Sequence, residues 1–357
     1  MSNQPIRVGF IGLNPDSHWA ATAHLPALAS MPEEYKIVGV ANSSPESSKA
    51  TAEALQLEHA FASPQELVTS EVIDLVVVTV KVPYHFELIK AALEAGKNVH
   101  SEWPLANGLG EVQELCELAE AKGVVATVGT QMRVAPEIIY LRRLIADGYV
   151  GEVLSTSLIG SGGNWGPEAI AEHAYLYDKN TGATMLTIPF GHTLAGLQEV
   201  LGPINAVNGR LLQRRKSVKI SETGEKVAST AADQIMVHGQ LESGAAFSAH
   251  YRGGMCRGTN LLWEINGTEG DIQVTGNIGH GQFAEMTIRG ANGEASELQP
   301  LELPAELFAG LPSEVVPRNV AGIYRRIAKD IRTGSREAPS FNDAFKLHQL
   351  LAAIGEG

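Results

Sequence analysis

The sequence has few of the features that would tie it to an oxidising compartment or a membrane. Only two cysteines occur among 357 residues, Cys116 and Cys256, and neither has a companion cysteine nearby. A disulfide framework or a zinc cluster is therefore not indicated, and a reducing cytoplasm fits this cysteine usage. No apolar run reaches the roughly 18 residues that cross a bilayer, and the N-terminal MSNQPIRVGF lacks a signal-peptide leader. We therefore expect a cytoplasmic protein that does not bind membranes.

Basic residues are also in the minority. The chain has 27 lysines and arginines against 40 acidic residues, which gives a formal charge of −13. This balance argues against nucleic acid as the main partner. A hydrophobic content of 44% with 19% charged residues is typical of a globular protein. The length of the chain predicts about two domains.

The stretch from Ile6 to Leu28 reads as a strand, a tight turn and a helix. An apolar run is broken by Gly12 and Asn14, and an alanine-rich helical segment follows from about Trp19. Unpaired backbone N–H groups at such a helix start suit a pyrophosphate. The dinucleotide fingerprint G-x-G-x-x-G is incomplete because its second glycine is Asn14, although Asn tolerates left-handed backbone. A turn that holds no ligand is the alternative.

Strands and helices alternate through the rest of the first 130 residues. Strands are predicted at Tyr35–Ala41, Asp74–Val80, Val99–Pro104 and Val124–Val128, with helices at Pro45–Leu57, His85–Ala95 and Glu111–Lys122. This order predicts a doubly wound parallel sheet of Rossmann type. Ligands of such sheets bind at the carboxyl ends of the strands, which gathers Gly12, Asn42, Lys81, Glu102 and Gln131 at one edge.

The end of the second strand bears on the choice of cofactor. NAD-binding folds usually place an acidic residue here to hold the ribose hydroxyls, but this chain has Asn42-Ser43-Ser44. Without a carboxylate, a 2′-phosphate would meet no repulsion, and Ser43, Ser44 and Lys49 offer groups that would bind it. NADP is therefore favoured over NAD. The alternative is that Asn42 only ends a strand and both cofactors bind.

Five segments carry a resemblance that covers nearly the whole chain: GFIGLN, GKNVHSEWPLA, RRLIADGYVGEV, GSGGNW and FGHT. With these the chain resembles the glucose–fructose oxidoreductase and inositol dehydrogenase family, in its branch with the fungal repressor of galactose genes. The resemblance implies a Rossmann domain over residues 1–130. It also implies an α+β substrate and oligomerisation domain over residues 131–357, with a large, mainly antiparallel open sheet. The repressor branch is thought to bind NAD(P) without catalysing a reaction.

Two departures from the active family concern proton handling. The family carries Glu-Lys-Pro beside the nicotinamide, whereas this chain has Glu102-Trp103-Pro104. Tryptophan can neither shuttle a proton nor stabilise an alkoxide by charge. The family's Asp-x-Gly-x-His run has Ile188 at the Asp position and Phe190 at the Gly position, so only His192 remains. An unperturbed imidazole titrates near neutrality and suits a general acid or base.

The predicted site combines these positions. His192 and Lys81 are predicted to be catalytic, with Lys81 a substitute for the absent lysine or, alternatively, a solvated surface residue. The residues predicted to bind the cofactor are Gly12, Leu13, Asn14, Asn42, Ser43, Ser44, Thr79, Val80, His85, Glu102, Trp103, Gln131 and Trp165. Those predicted to bind substrate are Trp103, Asn164, Trp165, Tyr177 and His192. No metal site is predicted.

The second half predicts successive strands between residues 152 and 275 and a helix from about Thr184 to Val200. Two closing helices, Arg318–Thr333 and Asn342–Ile354, are predicted to pack back on the body. Short connections imply an antiparallel sheet, and by resemblance its open face forms a homo-oligomer. We expect an NAD(P)-dependent oxidoreductase acting on a sugar, polyol or related compound. The alternatives are a catalytically impaired NAD(P)-binding regulator or sensor, and a folded remnant that binds no dinucleotide.

Overall fold

The computed structural model describes residues 4–16 and 19–356. The strands are β1 (Ile6–Ile11), β2 (Tyr35–Ala41), β3 (His59–Ala60), β4 (Leu75–Val78), β5 (Asn98–Glu102), β6 (Ala126–Gly129), β7 (Val153–Gly162), β8 (Glu168–Ala169), β9 (Ile204–Leu212), β10 (Ser217–Ile220), β11 (Lys226–Ala228), β12 (Gln234–Leu241), β13 (Ala246–Gly253), β14 (Leu261–Gly267), β15 (Gly270–Gly276), β16 (Met286–Asn292) and β17 (Gln299–Pro300).

The α-helices are α1 (Leu25–Ala29), α2 (Pro45–Leu55), α3 (Pro64–Thr69), α4 (His85–Glu94), α5 (Leu109–Lys122), α6 (Pro136–Ala146), α7 (Gly191–Leu201), α8 (Val315–Thr333) and α9 (Phe341–Glu356). Two turns of π-helix precede α1 and α7, at Ala20–His24 and Leu186–Phe190. Within the described residues, no helix is both long enough and apolar enough to cross a bilayer.

The chain forms two compact units. The first comprises Met1–Gln131 and Gly310–Lys346, and the second comprises Met132–Ala309 and Leu347–Gly357. The sequence assigned residues 310–346 to the second domain, whereas they fold with the first unit. Contacts from α8 and from the segment after it explain this: the Tyr35 hydroxyl donates to the carbonyl of Tyr324 in α8 at 2.6 Å, and Thr127 of β6 pairs with Ser340. The assignment of one domain to cofactor and the other to substrate stays a prediction.

The first unit contains a six-stranded parallel sheet in the order β3-β2-β1-β4-β5-β6. This order reverses direction beside β1, as in a dinucleotide-binding fold. β4 is buried at every residue because helices cover both faces of the sheet. The predicted Rossmann sheet is therefore confirmed.

The second unit contains an eight-stranded sheet in the order β17-β16-β15-β14-β7-β13-β12-β9 and a small sheet of β11, β10 and β8. All neighbours in the large sheet are antiparallel except β7 and β13, which run parallel. Burial alternates along β12 and β13, so one face of the sheet packs against the core and the other is open. This confirms the predicted mainly antiparallel open sheet.

Candidate functional site

Gly12 closes the first strand into a tight turn. Its φ of 96° is left-handed, and a Cβ atom there would lie 2.5 Å from Cγ1 of Val80. The Thr79 hydroxyl donates to the carbonyl of Gly12 at 2.9 Å. Both the conformation and the close approach to the end of β4 require glycine. Gly12, the first glycine of the incomplete fingerprint, therefore makes the tight turn that the fingerprint requires.

The position after β2 supports the same turn. The amide of Asn42 donates to the carbonyl of Leu13 at 2.8 Å and to the hydroxyl of Thr51 at 3.0 Å. A carboxylate at residue 42 could not donate these hydrogen bonds. The sequence reading treated Asn42 as a lost ribose ligand, and the structure shows that its amide also braces the Gly12 turn.

The hydrogen bonds and ion pairs of the other predicted residues near this edge are local ones. Asn14 is exposed, and its side-chain oxygen accepts a hydrogen bond from the backbone of Asp16 at 2.9 Å. Ser44 caps α2 by accepting from the backbone of Ser47, while Ser43 is exposed. Lys49 lies 3.9 Å from Glu53 one turn along the same helix. The predicted Ser17–His18 portion of the turn lies outside the described residues.

The ends of β4 and β5 meet at His85, which is fully buried. Its Nε2 lies 2.9 Å from the carbonyl oxygen of Val80, and its Nδ1 lies 2.9 Å from that of Pro104. Burial lowers the pKa of His85, and its hydrogen bonds to these carbonyls oppose the shift. Trp103, which precedes Pro104, is buried, whereas Lys81 is exposed. His85 thus ties together two loops that were predicted to contact the cofactor.

Glu102 ends β5 within a buried hydrogen-bond network. Its Oε1 lies 2.8 Å from Nε2 of His24, and the amide of Gln131 donates to its Oε2 at 2.9 Å. Burial alone would raise the pKa of Glu102, but the hydrogen bond and charge of His24, the charge of His100 and the amide of Gln131 bring it below its ordinary value. Glu102 is therefore held as a carboxylate. The structure joins Glu102 to Gln131 as the shared sheet edge predicted.

Sequence reasoning missed the partners of Glu102. His24 bonds to the hydroxyl of Tyr324 at 2.7 Å through its second nitrogen, and His100 Nε2 lies 4.0 Å from Glu102. His24 and Tyr324 are 300 residues apart, so no local pattern links them. The alternation of His100 and Glu102 along one strand was the available signal, because residues two apart share a face.

In the second unit, the glycine-rich loop after β7 encloses Trp165. This residue has a left-handed φ of 62°, is 1% exposed, and donates from its indole nitrogen to the carbonyl of Leu176 at 2.8 Å. A non-glycine residue in this conformation is strained and often marks a functional site. The backbone of Gly163 donates to Nε2 of His280 at 2.9 Å.

His280 is a second residue that the sequence reading missed. Burial, and secondarily the charge of His192, lowers the pKa of His280 to about 3. Because a backbone N–H donates to Nε2, the proton of the neutral ring lies on Nδ1. Its ring centroid is 6.0 Å from that of Trp165. The run Gly279-His280-Gly281-Gln282 was the signal that could have found it.

The remaining predicted residues of the second unit differ in their burial and in their hydrogen-bond partners. His192 is buried within a continuous helical segment, because the π-turn Leu186–Phe190 runs directly into α7, and this agrees with the predicted helix from about Thr184 to Val200. Asn164 lies 3.3 Å from Nδ1 of His173. Tyr177 is buried, and its hydroxyl donates to the carbonyl of Glu168 at 3.3 Å. The structure therefore brings Asn164 and Trp165 together in one loop, with His280 packed against Trp165.

Two descriptions of known families match separate parts of the chain. Residues 6–130 match "Oxidoreductase family, NAD-binding Rossmann fold", and residues 136–276 match "Gal80p, C-terminal domain". The galactose/lactose metabolism regulatory protein GAL80 of Kluyveromyces lactis is 32% identical over 307 residues, which are 80% of this chain and 67% of that protein. The chain belongs to the glucose–fructose oxidoreductase and inositol dehydrogenase family. The resemblance stated from the sequence is confirmed.

Members with enzyme names and with regulator names both resemble this chain. Dehydrogenase aclE of Aspergillus oryzae is 31% identical over 76% of this chain and 77% of that protein. A super-repressor mutant of Gal80p from Saccharomyces cerevisiae superimposes with a TM-score of 0.90 at 25% identity, over 99% of this chain and 95% of that one. Levoglucosan dehydrogenase in complex with NADH and levoglucosan gives a TM-score of 0.85 at 21% identity, over 99% and 97%, and shows the same fold.

Proposed function

We propose that this chain is an NAD(P)-dependent oxidoreductase that acts on a CH–OH group of a sugar, polyol or related compound. The observation that supports this most is the Gly12 turn, which is left-handed, pressed against Val80 and braced by Asn42 at the switch point of the sheet. Such a turn lets a backbone approach a pyrophosphate closely. The residues of this unit fit a dinucleotide.

The roles follow from the residues of each unit. The first unit would hold the dinucleotide at Gly12, Leu13 and Asn42, and its nicotinamide supplies hydride exchange when bound. In the second unit, His192 would take or give the hydroxyl proton, since an imidazole suits that exchange near neutrality. The loop with Asn164 and Trp165 would bind the substrate. Relatives named D-xylose dehydrogenase and levoglucosan dehydrogenase support a sugar-like substrate.

A second candidate function is an NAD(P)-binding regulator without catalysis. Trp103 is buried where the family has its lysine, and Ile188 stands where it has an aspartate. Relatives named GAL80 support this reading. Both candidates require the dinucleotide, so cofactor binding alone does not separate them.

The experiment that separates the candidates is reduction of NAD and NADP by the purified chain with a panel of aldoses, ketoses and polyols. An enzyme gives steady turnover with at least one compound. A regulator binds dinucleotide saturably but gives no turnover above a blank. A chain that binds neither nucleotide would contradict both candidates.

Lys81 tests the idea that an exposed lysine replaces the missing one. If it does, Lys81→Ala lowers turnover at least tenfold while dinucleotide affinity is unchanged, because only charge at the reacting oxygen is lost. Lys122→Ala is the matched control, since this lysine is also exposed, lies in the same unit and ends α5, away from the predicted cofactor residues. An unchanged rate in Lys81→Ala would end the idea and leave His192 as the proton-handling residue.

We further propose that NADP binds more tightly than NAD. No carboxylate stands at residues 42–44, Ser43 is exposed, and the N-terminus of the 11-residue helix α2 favours an anion. Glu46 in the first turn of α2 opposes a 2′-phosphate, so the preference is expected to stay within about tenfold. Parallel titrations with both nucleotides measure it, and tighter binding of NAD would contradict it.

A further inference from the structure

Two buried histidines and one partly buried glutamate of the first unit form a group to which the proposed reaction assigns no proton or hydride transfer. We name His24, His100 and Glu102 the Glu102 cluster. One nitrogen or oxygen atom from each lies within 4.8 Å of the corresponding atoms of the other two. His100 and Glu102 are two residues apart in β5 and so project to the same face of the sheet. His24 reaches that face from the last position of the π-helical turn after β1.

The hydrogen bonds around His100 leave a lone pair directed at the cluster. The hydroxyl of Thr127 donates to the carbonyl of Val99 at 3.3 Å, and it lies 3.0 Å from Nδ1 of His100. We assign the hydroxyl proton to the carbonyl of Val99, which makes Nδ1 the donor to Thr127 and places the lone pair on Nε2. His100 Nε2 is sealed from solvent, and no described residue forms a hydrogen bond with it.

Acceptors therefore exceed donors at the centre of the cluster. His100 Nε2 lies 4.0 Å from Oε1 of Glu102, and no donor among the described residues reaches this nitrogen. The side-chain oxygen of Gln131 is a further buried acceptor with no hydrogen-bond partner among the described residues. Uncompensated buried acceptors are costly, and a cation is the ligand that several acceptors share.

Each member of the cluster is also held by a partner on its other side. Tyr324 bonds to Nδ1 of His24 at 2.7 Å, Thr127 bonds to Nδ1 of His100, and the amide of Gln131 bonds to Glu102. Metal-binding histidines and carboxylates in proteins are oriented by hydrogen bonds of this kind. Gly129 leaves space for the group, because a Cβ atom there would lie 2.9 Å from Oε1 of Glu102.

We propose that the Glu102 cluster binds one divalent transition-metal ion of Zn²⁺ type through His24 Nε2, His100 Nε2 and a carboxylate oxygen of Glu102. Two imidazoles and one carboxylate are a known zinc ligand set. Ligand atoms around such an ion lie roughly 3.3 Å apart. Two of these separations can be compared with this value. The atoms of His24 and Glu102 are closer, at 2.8 Å, and those of His100 and Glu102 are farther apart, at 4.0 Å. On binding, Nε2 of His24 exchanges its proton for the metal, and the neutral ring carries its one proton on Nδ1, where it donates to the hydroxyl oxygen of Tyr324.

The ion would place positive charge beside residue 103, where the family's lysine is replaced by tryptophan. Metal binding itself does not depend on the dinucleotide or on turnover. The two proposals can therefore fail separately.

The test is a titration of the chelator-treated full chain, without nucleotide, with Co²⁺ followed by Zn²⁺. We expect one equivalent of Co²⁺ with visible absorption typical of four-coordinate cobalt, displaced by one equivalent of Zn²⁺. His100→Phe should abolish this stoichiometric binding, and Glu102→Gln should weaken it at least tenfold. Far-ultraviolet circular dichroism checks that each variant is folded.

Two further variants distinguish the cluster from surface binding. Tyr324→Phe removes only the hydroxyl on His24 and should weaken binding by about 10- to 100-fold. His238→Ala removes an exposed imidazole of the second unit and should leave binding unchanged. The proposal is overturned if the wild-type chain binds less than one equivalent, or if His100→Phe and Tyr324→Phe bind as tightly as wild type.

Discussion

Each unit has a π-helical turn close to a buried histidine, but the groups that surround the two histidines differ. In the first, a π-helical turn ends at His24, which contacts the carboxylate of Glu102. In the second, a π-helical turn stands two residues before His192, and the nearby His280 contacts a backbone N–H. Single π-turns within helices are frequent at functional sites. The first unit thus sets its histidine against a carboxylate, whereas the second sets His280 against a neutral backbone N–H.

The largest expected effect on stability appears in acid and concerns His280 of the second unit. Unfolded His280 binds a proton near pH 6.5, whereas burial delays protonation of the folded residue to about pH 3. Between these values the unfolded state holds more protons, so the free energy of unfolding falls as the pH falls. His280→Phe should reduce this slope by up to about 1.4 kcal/mol per pH unit.

Urea unfolding at a series of pH values between 6.5 and 4 measures the slope. His238→Ala removes an exposed histidine of the same unit and should leave it unchanged. If His280→Phe and wild type lose stability in parallel, His280 is not held neutral by burial.

In the first unit, the next largest expected effect is the loss of stability when Gly12 is replaced. Gly12→Ala combines a left-handed backbone with a contact of 2.5 Å to Val80, so we expect a loss of roughly 3 kcal/mol. Gly96→Ala is the matched control, because its φ of 71° is also left-handed but no atom lies within 4 Å of the added Cβ. It should cost about 1 kcal/mol.

Dinucleotide affinity should fall at least tenfold in Gly12→Ala and stay unchanged in Gly96→Ala. Chemical unfolding and nucleotide titration measure the two effects. Equal losses of stability in both variants would show that the close approach to Val80 does not matter.

Glu102 and Glu199 compare two partly buried carboxylates, one in each unit: Glu102 pairs with a fully buried histidine and Glu199 with two partly exposed arginines. Glu102→Gln removes a charged hydrogen bond to His24 and should cost about 2 kcal/mol of unfolding free energy. Glu199 bonds to Arg133 at 2.9 Å and to Arg142 at 2.6 Å near the surface, so Glu199→Gln should cost less than about 1 kcal/mol. A larger loss for Glu199→Gln in urea unfolding would contradict this order of the two losses.

The open sheet face gives the smallest expected effect on stability. Ile159, His250 and Met236 are neighbours across β7, β13 and β12, and Ile159 and Met236 are exposed. We expect this face to bind a second copy of the chain. Ile159→Glu should convert a dimer or larger assembly to a monomer while changing the monomer's stability by less than about 0.5 kcal/mol.

Light scattering during size-exclusion chromatography measures the assembly. Ile170→Glu, which changes an exposed isoleucine outside the large sheet, should leave it intact. A wild-type chain that is monomeric at every concentration would rule out the sheet-face assembly.

The fold was predictable where local patterns decide it. The buried run in β4 and the start of α4 at His85 follow directly from apolar pattern and turn residues. The two π-turns were missed, because no residue type marks an i to i+5 hydrogen bond. The assignment of residues 310–346 was also missed, because it depends on contacts between Tyr35 and Tyr324, which are 289 residues apart.

The Gly12 turn of the candidate site could be predicted from the sequence, whereas most of the hydrogen bonds around it could not. Gly12 was identified from the strand and turn pattern, and Asn42 from its position after β2. The amide donation of Asn42 to Leu13 and the pairing of His24 with Glu102 depend on side-chain directions that sequence spacing does not give. His280 could not be assigned to the site from the sequence, because its contact with Gly163 joins residues that are 117 positions apart.

The central claim is that the Gly12 turn binds a dinucleotide. Calorimetric titration of the purified chain with NADH and NADPH tests it most directly. The account predicts saturable binding of one equivalent per chain, weakened at least tenfold in Gly12→Ala and unchanged in Gly96→Ala. Absence of saturable binding of both nucleotides, or equal binding by the two glycine variants, would contradict it.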